Sequence, residues 1–361
     1  MSFVSMIPDE VLASFYLNSI AIVLLVGVIV LYGRAGRRDK TEKRIFSDMA
    51  LLIILLSVSY VFETAVSEQI VPLHYKIIIA EEVLHDIVLN GFCIAWILYA
   101  NYRMYKGFGY VKRKKWLYLA PFFILLVLNM ANMFFPVFRY YGDDMKVHDT
   151  ALFILQDIIR YGYMVVAAVQ LYKHNKEEGS SRFFNMITFV FPAAAGAVLH
   201  DLTPYYIQTL SLGMAVGLAL LYAEIANEQS FCDRETGFFD RSYVEHMAEL
   251  ISNKKYDVGN VMVFDLEGSE NIADFCKILK KQLPVDCEPI RLKKDEILVL
   301  STVNEKAPLF MVAEDVKMSV EEYNEKNSEN PMDVKIRYQL KKKKESGYEL
   351  FDRVLKRLNA R

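Results

Sequence analysis

The sequence predicts two parts in series: an α-helical transmembrane bundle of about seven helices, then an α+β domain with a mainly antiparallel sheet. Two observations predict it. Hydrophobic residues make up 53% of the chain while charged residues still make up 24%, and the two kinds are segregated. Apolar runs fill the stretch before Ala226, and mixed, charged sequence fills the rest. Past that boundary the pattern also changes, from long apolar stretches to short helices and strands in alternation.

A spanning helix needs about 20 mostly apolar residues. Seven segments meet or nearly meet that length: Val11–Tyr32, Ile45–Thr64, Ile77–Tyr102, Trp116–Phe135, Ala151–Tyr172, Phe183–Leu199 and Tyr206–Ala223. The sixth is the shortest and contains Pro192. The stretch Met1–Glu10 lacks the basic region of a cleavable signal peptide, so the first run is expected to stay as a membrane helix.

Orientation follows from lysines and arginines in the short loops. The loop after the first segment carries Arg34, Arg37, Arg38, Lys40, Lys43 and Arg44. The third is followed by Arg103, Lys106, Lys112, Arg113, Lys114 and Lys115, and the fifth by Lys173, Lys176 and Arg182. The alternate loops are poor in cations: Ser67–Lys76 has only Lys76, Arg139–Thr150 sets Arg139 and Lys146 against Asp143 and Asp144, and Asp201–Tyr205 has none. The expectation is a multi-pass protein of the cytoplasmic membrane, bathed in lipid, with its N-terminus outside and its C-terminal domain in the cytoplasm.

Ionisable residues inside spanning helices are costly and are candidates for function. Here they share the outer depth: Glu63 in the second segment; Glu81, Glu82, His85, Asp86 and Asn90 in the third; Asp157 and Arg160 in the fifth; His200 and Asp201 at the end of the sixth. Asn129 and Asn132 approach the same side. Glu82 and Asp86 are four apart, as are Glu81 and His85, so each pair projects along one strip of a helix. Asp157 and Arg160 are placed to pair. These residues form either a pocket for a small polar or cationic ligand from outside or a structural polar network. Asp48, near the inner end of the second segment, reads as interfacial.

Other classes fit poorly. A retinal receptor needs a Schiff-base lysine in a late helix, and Tyr206–Ala223 has none. A metallohydrolase would use clustered His and carboxylate ligands, but no HxxxH pair exists. A transporter of a polar solute remains an alternative, without the internal repeat that many carriers show. The formal net charge of −2, with only the short basic run Lys341–Lys344, argues against a nucleic-acid partner. Cys93, Cys232, Cys276 and Cys287 have no metal-ligand spacing and read as free, reduced thiols. Gly213 and Gly217 form a GxxxG, a weak sign of close helix packing.

The organisation is therefore a bundle over 1–223, a helical connector over 224–232, since Tyr222–Ser230 reads YAEIANEQS without glycine or proline, and a soluble domain over 233–361. In that domain Ser242–Ile251 has helical spacing and Val258–Phe264 reads as a strand. Ile272–Leu283 is helical. Pro289–Leu292 and Ile297–Ser301 form a hairpin around the polar turn Lys293–Glu296. Leu309–Asn327 is a helix with Met311, Val312, Val316 and Val320 inward. Val334, Ile336, Tyr338 and Leu340 alternate as a half-buried strand. Tyr348–Leu358 is a closing amphipathic helix.

Three stretches of this domain carry a resemblance. Asp233-Arg-Glu-Thr-Gly-Phe-Phe-Asp-Arg241 resembles the D-x-L-T-G-L-x-N-R opening of GGDEF domains, the diguanylate cyclases. Phe264-Asp-Leu-Glu267 resembles that family's strand ending in D-x-D, and Arg291-Leu-Lys-Lys-Asp-Glu-Ile297 falls where it has R-x-G-G-D-E-F. The resemblance covers roughly Phe231–Arg361. It implies magnesium-binding carboxylates at Asp265 and Asp295, with Glu296 beside them, and GTP as the nucleotide. It also shows departures. Lys293 and Lys294 replace the two glycines of the turn, where a Cβ resists positive φ and blocks close approach of a ligand. Ser269-Glu270 replaces a phosphate-contacting pair, and Ala273 replaces a guanine-reading asparagine. The G-H-x-x-G-D segment is missing, and the inhibitory R-x-x-D is absent near Pro284–Cys287. The resemblance thus implies a bacterial membrane sensor with a degenerate output domain, acting on a cytoplasmic signalling protein or as a homodimer. Magnesium and GTP would be bound only if nucleotide binding survives, and a weakly active cyclase is the alternative.

Overall fold

The computed structural model describes residues 9–34, 40–67, 74–105, 113, 115–143, 147–177, 186–202, 208–252, 258–267, 271–284, 287–301, 307–342 and 344–359. The chain divides into two compact units, residues 1–173 with 181–226, and residues 174–180 with 227–361.

The first unit holds α1 (Asp9–Arg34), α2 (Lys40–Ser67), α3 (Tyr75–Tyr105), α4 (Lys115–Asn132), most of α5 (Phe153–Glu177), α6 (Met186–Leu202) and most of α7 (Leu210–Ser230). A short antiparallel hairpin, β1 (Arg139–Tyr141) and β2 (Val147–Asp149), lies between α4 and α5. Among the described residues, each of the seven apolar segments overlaps one helix, and those that start at Trp116 and Ala151 run past the helix by two or three residues. Four of these, α1, α2, α3 and α7, are long and apolar enough to cross a membrane, which marks the chain as a membrane protein. Trp116–Asn132 and Ile187–Leu199 are apolar but shorter.

The burial pattern explains why α5 is long yet less apolar. Ile154, Ile158, Tyr161 and Val165 are exposed, while Gln156, Tyr163, Ala167 and Gln170 are buried. Its polar side chains thus point inward, the reverse of a helix on a water-soluble core. α3 is the most enclosed helix, with Trp96, Tyr99 and Ala100 fully buried and Trp96 stacked 4.1 Å from Phe189 of α6.

Glycine sets how closely α6 and α7 pack. A Cβ on Gly196 would lie 2.7 Å from the Thr209 carbonyl oxygen, one on Gly217 equally close to that of Phe189, and one on Gly213 would meet the carbonyl of Pro192. The GxxxG is therefore a real backbone-to-backbone contact.

The second unit is three-layered. Its sheet has the order β4-β5-β3-β6, all antiparallel, from β3 (Asn260–Glu267), β4 (Cys287–Arg291), β5 (Glu296–Ser301) and β6 (Asp333–Leu340). Met262, Phe264, Ile297 and Val299 face one side, where α9 (Ile272–Gln282) and α10 (Ala307–Lys326) bring Phe275, Leu279, Val312 and Val316. The alternate residues Val261, Val263, Leu298 and Leu300 are buried toward the opposite face, as a period of two requires. There α8 (Arg241–Ser252) and α11 (Gly347–Asn359) pack on each other. One inward assignment is corrected. Met311 is 67% exposed, because α10 buries Leu309, Val312, Ala313, Val316 and Val320, and the residue before Val312 turns off that stripe.

Candidate functional site

Polar residues of α3 and α5 in the first unit converge on two arginines. Arg160 of α5 donates from Nη2 to Asp86 Oδ1 at 2.7 Å, from Nε to Asn90 Oδ1 at 2.8 Å and from Nη1 to Asp157 Oδ1 at 3.3 Å. Arg139 of β1 contacts Glu82, reaches Asp86 Oδ1 at 4.0 Å and bonds Asp149 Oδ1 at 3.0 Å. Both guanidinium groups lie by the Phe153 ring, at 4.7 Å for Arg139 and 6.0 Å for Arg160. The Glu82–Asp86 strip of α3 is thus one acidic rail held by two cations. The Glu81–His85 strip faces α2, where Ser59 donates to Glu81 and lies 3.0 Å from His85 Nδ1, and Tyr60 packs on the His85 ring.

Glu63 stands apart from that rail and accepts from Gln208 Nε2 at 3.1 Å. Asn129 donates to Gln156. Asn132 is a structural cap, its side-chain oxygen accepting from the backbone N–H of Phe138 and Arg139. His200 and Asp201 close α6, and their side chains lie outside the described residues. Arg139 escaped the sequence reading as a site residue because it counts there only as a loop cation; nothing local says that the loop folds back onto α3.

In the second unit the opening motif is a tied turn. Asp233 Oδ1 accepts from the Thr236 N–H and hydroxyl, both at 2.8 Å, and from Arg291 Nη1 at 3.0 Å. Gly237 has φ +72°, a left-handed value that explains glycine there. Burial works to raise the Asp233 pKa, but the Thr236 and Arg291 bonds outweigh it and hold the pKa below the ordinary value. Arg291 also reaches Glu235 at 2.6 Å, so it staples the motif to the hairpin.

The hairpin turn spans Leu292–Asp295, closed by the Leu292 N–H on Glu296 O at 2.9 Å. Lys293 and Lys294 are exposed, and neither takes a positive φ. Asp295 is exposed too, while its backbone carbonyl accepts from Leu266 N–H at 2.8 Å. Asp265 and Glu296 stand opposite each other in register. Arg337 of β6 clasps both: Nη2 donates to Asp265 at 2.5 Å and to Glu296 at 2.8 Å, and Nε lies 2.5 Å from the second Asp265 oxygen. Lys293 Nζ is 3.9 Å from Glu296. Burial, and then the Asp265 charge, raise the Glu296 pKa.

No family model matches this chain, and no curated protein is similar to it. The geometry therefore carries the chemistry alone. Among the described residues, no group of three His, Cys, Asp or Glu side chains is placed to hold a metal ion. The residues do not fit the magnesium that the resemblance implies, because an arginine already bridges Asp265 and Glu296. None of the four cysteines forms a disulfide, and burial pushes the Cys276 thiol up to about 12. The Ser269-Glu270 replacement lies outside the described residues, and the Pro284–Cys287 stretch is only partly within them.

Proposed function

We propose that the chain is a bacterial membrane signal transducer: a seven-helix bundle with its N-terminus outside senses a small polar or cationic ligand at its outer face, and a catalytically inactive GGDEF-like domain in the cytoplasm delivers the output by protein contact. One observation carries the inactive output. The turn that would cradle a nucleotide is built from Lys293 and Lys294 in backbone conformations open to any residue, with their side chains at the surface. Such a turn offers a ligand two cationic side chains rather than bare backbone.

The sensing half is supported by the rail of Glu82 and Asp86, clasped from α5 by Arg160 and from a loop hairpin by Arg139. The seven-span topology is supported by the inverted burial of α5 and by the alternation of basic loops. Hydrogen exchange on the full-length protein in nanodiscs tests the relay. Arg139→Gln frees the hairpin from the rail, and protection in α8 and β3 is expected to change while the fluorescence of Trp96 and Trp116 shows the bundle still folded. Unchanged protection in the second unit would overturn the relay.

A further inference from the structure

We propose that Arg337 is a built-in cation that closes the Asp265–Glu296 carboxylate pair to divalent metals and makes the output domain metal-independent. The inference rests on the signalling reading above and deepens it.

The strand register makes the arrangement. Pairing of β3 with β5 sets Asp265 opposite Glu296, and pairing of β3 with β6 sets Arg337 opposite Val263, two residues along β3 from Asp265. Residues two apart on a strand share a face, so the guanidinium lies diagonally across from the carboxylate it binds. Two like charges directly opposite each other on neighbouring strands repel, and a cation set between them relieves that repulsion. Divalent cations do this in carboxylate metal sites. Here a planar guanidinium does it: Nη2 donates to one oxygen of Asp265 and one of Glu296, and Nε lies at ion-pair distance from the other Asp265 oxygen.

Asp265 and Glu296 contribute two negative charges, and Arg337 with Lys293 at 3.9 Å contributes two positive ones. A metal ion entering this pair would have to displace an arginine hydrogen-bonded to both carboxylates and then lie beside a lysine. Asp295, exposed in the turn, adds one more carboxylate at the rim. Removing the guanidinium therefore leaves an acidic pair with room for a cation and no counter-charge but Lys293.

The test is a Mn²⁺ titration of the full-length protein in detergent, read by the paramagnetic resonance of free aqueous Mn²⁺. Wild type and Asp265→Asn are expected to give the same titration. Arg337→Gln is expected to gain one saturable site at least about tenfold tighter than any in the wild type. Adding Asp265→Asn to that variant is expected to remove the site. Loss of Mn²⁺ binding in Asp265→Asn alone would overturn the proposal, as would Arg337→Gln that keeps its β3 exchange protection and gains no site. If Arg337→Gln unfolds the domain, the wild-type and Asp265→Asn pair still decides. Mn²⁺ bound at Asp265 in wild type without any nucleotide product would sink this inference and leave the signalling reading standing.

Discussion

Replacing Arg160 with methionine removes the best-placed cation of the polar cluster on α3 while keeping much of its apolar stem. Arg160 is 11% exposed at its side chain and Asp86 is 3% exposed, so the pair is desolvated. Breaking a buried pair by removing one partner costs about 3–5 kcal/mol, because the other charge stays behind. Asp86 keeps a second, looser partner in Arg139 at 4.0 Å, which places the cost near the low end, at about 3 kcal/mol. For a unit of this size about 2–4 °C is lost per kcal/mol, so the midpoint should fall by about 6–12 °C. Intrinsic fluorescence reads this cleanly, because the chain's two tryptophans, Trp96 and Trp116, both lie in the first unit. Asp86→Asn combined with Arg160→Met removes the orphaned charge and should recover more than half of the loss. A single variant within about 0.5 kcal/mol of wild type, or a double variant no better than the single, would refute the claim that these two charges hold each other in a dry site.

Gly213→Ala should destabilise the first unit by about 1–3 kcal/mol, since its new Cβ meets the Pro192 carbonyl, whereas Gly27→Ala, with nothing within 4 Å, should change stability by about 1 kcal/mol or less; thermal melts compare the two. Asp233 has a lowered folded pKa, so its stabilisation is full above the unfolded value of about 3.9 and is lost as pH falls through the lower folded value. Pepsin cleavage near Phe238 should therefore accelerate as pH drops through that window, and Asp233→Asn should flatten the dependence. Met311→Lys should leave exchange protection of α10 unchanged, while Val316→Lys, placed at a fully buried position, should abolish it.

The helices and strands of the second unit were legible because each carries its own period. Val334, Ile336, Tyr338 and Leu340 alternate and form β6, and the polar turn between Pro289 and Ile297 forms the hairpin. Met311 misled because it sits beside a correct stripe and is itself apolar. The site was less legible, since its key contacts join distant residues. Arg337 lies 72 residues from Asp265 and 41 from Glu296, and along β6 it reads only as the polar partner of an alternating strand. Arg139 is hidden for the same reason. The pairs within one helix, Glu82 with Asp86 and Asp157 with Arg160, were readable because helical spacing is local. Seven apolar segments were visible, but among the described residues only four carry membrane-length apolar helices: the apolar parts of α4 and α6 are shorter, and α5 counts Gln156, Asp157, Arg160 and Gln170 in its sequence average.

The most direct test of the account is nucleotide turnover by the full-length protein in nanodiscs, with GTP and magnesium and an active diguanylate cyclase run alongside. The account predicts no cyclic di-GMP above background. Cyclic di-GMP formed by the wild type and lost in Asp265→Asn would contradict it, showing that the lysine turn and the Arg337 clasp still permit catalysis.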